Sequence, residues 1–306
     1  MKINRELLNW LLEENNPSVR LRTLIELCDL SEDHREIKAA RRVVVSKLQA
    51  ASDLSWMSLK GQTVIYNLTA LAESGLSCKN VDIEPCVDKL LSAPYFDANC
   101  SELMALRAMV MLGYGKDTRL KKRLSQLAEA LLPDGGWLCL HRVRKMKKVP
   151  KSCMRAAMHG LLLAGELKKR GLYFSGSEQL IHYFLKRRLF YRTDDPTQIV
   201  VKHMNEVFFP IEYFSVGLPL LLDALAALGA GEARELQEAW SLLEKKKDDY
   251  GRILLEGTLP ANKSYLPKER VGKPSKWGTL YACLAWKNRL CHLEHKGHFL
   301  KNEVCS

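Results

Sequence analysis

No apolar run in this 306-residue sequence is long enough to cross a bilayer. The longest, VGLPLLLDALAALGAG, is broken by Pro219 and Asp223. The first turns carry acidic residues and no long apolar run, so neither a signal peptide nor a membrane anchor is expected there. Nine cysteines, an odd number without regular spacing, do not make a disulfide framework, so a reducing cytoplasm is the expected compartment. Strand signals are nearly absent, and no arginine-serine tail, nucleic-acid motif or basic heptad pattern occurs. A soluble, all-α chain is what these absences leave.

What is present is positive charge, +12 in formal terms, and helical periodicity. The charge implies an anionic partner: a small molecule, nucleic acid or a membrane surface. The helices come in two kinds. DTRLKKRLSQLAEALL places Leu120, Leu124, Leu127 and Leu131 on one stripe with charge opposite, and EARELQEAWSLLEKKK repeats the arrangement with Leu236, Trp240 and Leu243. ELMALRAMVMLG, MRAAMHGLLLAG and LPLLLDALAALG are apolar almost all round and must be surrounded by protein.

Each amphipathic helix precedes a buried one: 32–49 then 61–75, 82–92 then 101–113, 117–131 then 152–168, 177–190 then 212–229, and 232–247 then 276–290. Two concentric rings of helices require that alternation, and an open solenoid of helix pairs accounts for it nearly as well. Helices within 4–29 pack on the ring, and residues 1–306 form a single domain. The last three links from outer to inner helix are long, about 132–151, 191–211 and 248–275. In antiparallel pairs they fall on one rim, where long loops are commonly functional.

PDGGW after an outer helix resembles the glycine-aromatic turn of the terpenoid cyclase and protein prenyltransferase superfamily. WLLEENNPSVRLRTL, DGGW, KSC, LFYRT, FFPIEYF and GKPSKWGTL are similar to a bacterial group of prenyltransferase or squalene-oxidase repeat proteins. The resemblance implies an α/α toroid, and a transferase or cyclase acting on an isoprenoid-like substrate. The Asp-x-Asp-Asp acid motif of the cyclases is missing here. Asp194 and Asp195, like Asp248 and Asp249, are isolated loop pairs suited to turns.

Candidate site residues lie at the rim. Arg142, Arg144, Lys148 and Lys151 crowd one loop and repel one another unless an anion offsets them. Ser152 is placed to cap the next helix, with Cys153 in its first turn, where free amides and lysines favour a thiolate. Cys153 is therefore the candidate nucleophile and His141 its base. Cys139, His141 and Cys153 together can also hold zinc. Arg192, Lys202, His203, Glu212 and Tyr213 from the second loop, and Lys273, Lys276 and Trp277 from the third, complete an electropositive mouth over an apolar interior. The expected ligand is an isoprenoid-like molecule with an anionic head. The alternative is a non-catalytic scaffold whose basic rim meets nucleic acid or an acidic protein.

Overall fold

The computed structural model describes residues 3–51, 62–92, 99–138, 152–208, 216–258 and 269–296. These residues form twelve α-helices joined by turns and two short 3₁₀ segments, with isolated bridges and no strand among them. In chain order the helices are α1 (Arg5–Leu11), α2 (Pro17–Glu26), α3 (Arg35–Ala51), α4 (Gln62–Glu73), α5 (Glu84–Ser92) and α6 (Asn99–Met111). There follow α7 (Thr118–Glu129), α8 (Met154–Lys169), α9 (Ser177–Leu185), α10 (Leu218–Ala227), α11 (Gln237–Glu244) and α12 (Lys276–Lys296). No helix among the described residues is long and apolar enough to cross a membrane.

Sequence chemistry sets the helix starts. Asn4 accepts the amide of Leu7 at 2.8 Å, Asn16 that of Val19 at 3.3 Å with Pro17 in the first position, and Asp117 that of Arg119 at 2.8 Å. Helix α8 departs from expectation. Its N-cap is Cys153 and not Ser152, and no side chain caps it. The Ser152 hydroxyl instead donates to Asp134 at 2.6 Å, because the preceding turn brings that carboxylate within reach. Helix α10 starts at Leu218, later than the expected 212, with Gly217 as cap and Pro219 in its first turn.

The two kinds of helix are observed. Helices α4, α6, α8 and α10 are buried along nearly their whole length, as is the first half of α12, whereas α3, α5, α7, α9 and α11 keep one exposed face. The buried helices pack in order: α4 on α6, α6 on α8, α8 on α10, α10 on α12, and α12 on α2. Close approach needs small residues. A Cβ on Gly165 of α8 would lie 2.9 Å from the Cα of Ala224 on α10, so these two axes meet at glycine and alanine.

The DGGW turn is locked into this packing. Gly135 takes φ 88°, and a Cβ there would stand 2.4 Å from the carbonyl oxygen of Gln179 on α9. Trp137 is fully buried, donates from Nε1 to the Leu127 carbonyl at 2.8 Å, and lies where a Cβ on Gly160 of α8 would be 2.3 Å from its ring. One indole thus ties α7 to α8.

Candidate functional site

Part of the rim expected from sequence lies outside the described residues: Cys139, His141, Arg142, Arg144, Lys148, Lys151, Glu212 and Tyr213. That includes both partners proposed for Cys153. Cys153 itself is buried, and its amide donates to the Trp137 carbonyl at 2.7 Å. Beside it Ser152 stands 3.1 Å from the Tyr183 hydroxyl, and the Arg187 guanidinium covers the Tyr183 ring at 3.6 Å. Among the described residues no group of His, Cys, Asp and Glu is arranged to hold a metal ion.

The remaining rim candidates are scattered in role. Arg192 is exposed and forks onto Asp194 at 2.9 and 3.0 Å, and Lys202 and Lys273 are exposed. His203 takes a left-handed φ of 76° and its Nδ1 lies 2.6 Å from Glu206. Lys276 is buried and reaches Glu13 at 3.0 Å; burial pulls its ammonium below the usual lysine range against the pull of Glu13. Trp277 is fully buried, stacked on Tyr281 at 6.4 Å between ring centres, and belongs to the core.

The second and third long links do share an end. The Val207 amide donates to Glu256 at 2.8 Å, the amides of Glu256 and Gly257 return to the Val207 carbonyl, and Leu255 donates to Lys273 at 2.9 Å. No such bond joins them to the Ser152 and Tyr183 cluster among the described residues.

The opposite end holds what sequence reasoning missed. Charged side chains from successive buried helices meet there, near the helix C-termini. Glu73 ends α4 and is fully buried; it accepts from Arg22 of α2 at 2.9 Å, from Arg107 of α6 at 2.6 Å, and from the Tyr281 hydroxyl of α12. Arg107 lies 3.7 Å from Glu166 on α8, which also pairs with Lys169 and Arg170. Lys169 continues to Asp223 of α10, and Asp223 accepts from Asn288 of α12 at 2.7 Å. Every buried helix contributes. Burial alone would raise the Glu166 carboxyl, yet Lys169, Arg170, Arg107 and Arg22 together hold it well below the usual carboxylate range.

The signal was in the sequence. Arg107 and Asp223 each interrupt an apolar run, Glu73 and Glu166 each stand at the end of one, and charged residues in such places are almost always paired.

Above this network opens a cavity of about 390 Å³, within the size range of small-molecule pockets. Ile25, Leu76, Met111 and Leu284 give it an apolar wall; Arg22, Arg41, Lys169, Arg170 and Lys287 give it cations, and Glu26, Glu32 and Glu166 line it beside them. Arg170 gives only one nitrogen to Glu166, and its other nitrogens have no acceptor among the described residues. Lys287 is held by Asp29 at 2.6 and 2.7 Å and by the Glu26 carbonyl at 2.8 Å.

No protein-family model matches this chain, and a search of curated proteins finds no match.

Proposed function

We propose that the chain is an α/α toroid which binds a small amphiphilic anion in the cavity at the C-terminal mouth of its inner helices. Alternation of buried and half-exposed helices, packed in chain order, supports the ring. So does Arg22, which links the first buried helix both to α4 through Glu73 and to the last through Tyr281. The ligand class is the one the sequence suggests. Its place moves from the long-loop rim to the other end.

One observation carries this reading: a cavity of about 390 Å³ with an apolar wall and cations contributed by four helices, Arg22 from α2, Arg41 from α3, Lys169 and Arg170 from the end of α8, and Lys287 from α12. Such a lining suits a short hydrocarbon joined to a phosphate or carboxylate, and the isoprenoid-like character follows from the family resemblance. Deeper along the buried helices, Trp277, His159 and Met104 are at most 1% exposed, which supports a ligand seated at the mouth and not one threaded through the middle. Glu26 and Glu166 are already engaged by arginine and lysine and make poor proton acceptors, so the reading is of binding and not of turnover.

Isothermal titration with geranyl diphosphate, inorganic diphosphate and geraniol tests it. The amphiphile should bind more tightly than either part, and Arg170→Met should weaken it about tenfold or more, the worth of one charge-assisted hydrogen bond. Equal affinity in Arg170→Met, or no binding by any of the three, would overturn it.

A further inference from the structure

A second feature lies on the outer surface and adjoins that cavity at Arg41, which lines both. Between α3 and the turn after α4 runs an open groove of about 560 Å³, lined by Lys38, Arg41, Arg42, Val45, Ser46 and Asn80, without one carboxylate. We propose that this groove binds the phosphate backbone of a single-stranded nucleic acid.

The helix supplies the spacing. Arg35, Lys38, Arg42 and Ser46 recur at steps of three and four and so lie along one stripe, about 17 Å long at 1.5 Å per residue. That is enough to meet several successive phosphates. Lys79 is exposed beside Asn80 on the facing turn. The Oδ1 of Asn80 is taken by the amide and hydroxyl of Ser77 at 3.0 and 2.9 Å, which leaves its amide nitrogen as a donor.

The cations are available. Lys38 pairs with Asp33 at 3.1 Å with both side chains largely exposed, whereas Arg41 is only 15% exposed and is held by Glu32. An ion pair as open to water as that of Lys38 contributes little and exchanges readily for phosphate. Arg42 and Lys79 have no ion-pair partner among the described residues. The cations run in a single line along α3 facing Asn80 across the groove, which suits the one backbone of a strand. No aromatic ring lines the groove, so there is no platform on which bases stack, and binding is expected to ignore sequence and to depend steeply on salt.

The test is fluorescence anisotropy of a labelled twenty-residue oligothymidylate with the full chain between 25 and 200 mM KCl. Affinity should fall as salt rises, with a log–log slope of about −2 to −3 if three or four phosphates are neutralised at roughly −0.7 each. Lys38→Glu with Arg42→Glu, both on the exposed face, should weaken binding at least tenfold while circular dichroism and Tm stay unchanged. The same pair should leave geranyl diphosphate binding intact, and Arg170→Met should leave oligothymidylate binding intact, so the two sites fail separately. No binding at 25 mM KCl, or a double variant that binds like the parent, overturns the proposal. So does capture by phosphatidylserine vesicles without capture of the oligonucleotide, which would make the groove a membrane contact.

Discussion

Arg22 and Glu73, 51 residues apart in sequence, meet at 2.9 Å with both side chains almost entirely withdrawn from water. Glu73 answers two guanidiniums and a phenol at once. It is the acid on which the packing of α2, α4, α6 and α12 converges.

Glu73→Ala should therefore cost about 3–5 kcal/mol, because it removes the fully buried counter-charge shared by Arg22 and Arg107 and leaves them only Glu26 and the more distant Glu166 in a medium that solvates them poorly. Chemical denaturation followed by circular dichroism measures the loss. Glu73→Ala combined with Arg22→Met and Arg107→Met should recover much of it, since replacing a whole buried ionic group by apolar side chains is commonly near neutral.

Glu166 sets the acid limit. Its folded-state carboxyl titrates lower than the unfolded value of about 4.3, so its stabilising contribution is complete above that pH. The contribution is lost as pH falls from there through the folded value. Glu166→Gln should flatten the decline in stability below about pH 4.5 while lowering stability at pH 7, and urea midpoints from pH 7 to pH 3 check both limbs.

Gly160→Ala should destabilise by about 1–3 kcal/mol, the usual cost of overpacking, because its methyl would overlap the Trp137 ring. A shifted Trp137 also loosens the bond to Leu127, so near-ultraviolet circular dichroism should change along with Tm.

Thiol labelling should separate the cysteines by depth. Cys78 and Cys291 are exposed and should react with iodoacetamide first; Cys86, Cys153 and Cys283 are buried and should react only on unfolding. Burial pushes the Cys283 thiol up to about 12, which suppresses its thiolate at pH 8 as well as its access. Peptide mass spectrometry over a time course reads the order, and early modification of Cys153 would count against its burial.

The five helix pairs were legible because each buries one stripe or a whole surface, and that requirement is written in the spacing of leucines such as Leu120, Leu124 and Leu127. Turn chemistry was legible too: Asp195 accepts from Thr197, and Asp248 accepts from Tyr250 and Arg252. The start of α10 was less so, since an apolar run does not show where Gly217 releases the chain into a helix. Least legible was the charged network. A lone Glu166 at the end of an apolar run, or Asp223 within one, announces that it has a partner, but the partner's identity depends on how far each helix slides along its neighbour. Composition likewise weighted the long loops, whose lysines are many, over Arg22 and Arg107, whose burial makes each worth more.

The link from Arg22 to Tyr281 spans 259 positions. A chain emerging from the ribosome in order must therefore hold Arg22, Glu73 and Arg107 in an unfinished interior until α12 arrives. What α12 adds to that cluster is the Tyr281 hydroxyl and the Asn288 amide, hydrogen bonds and cover without charge, so a nascent chain that stops short of it carries ion pairs already matched but still open to water.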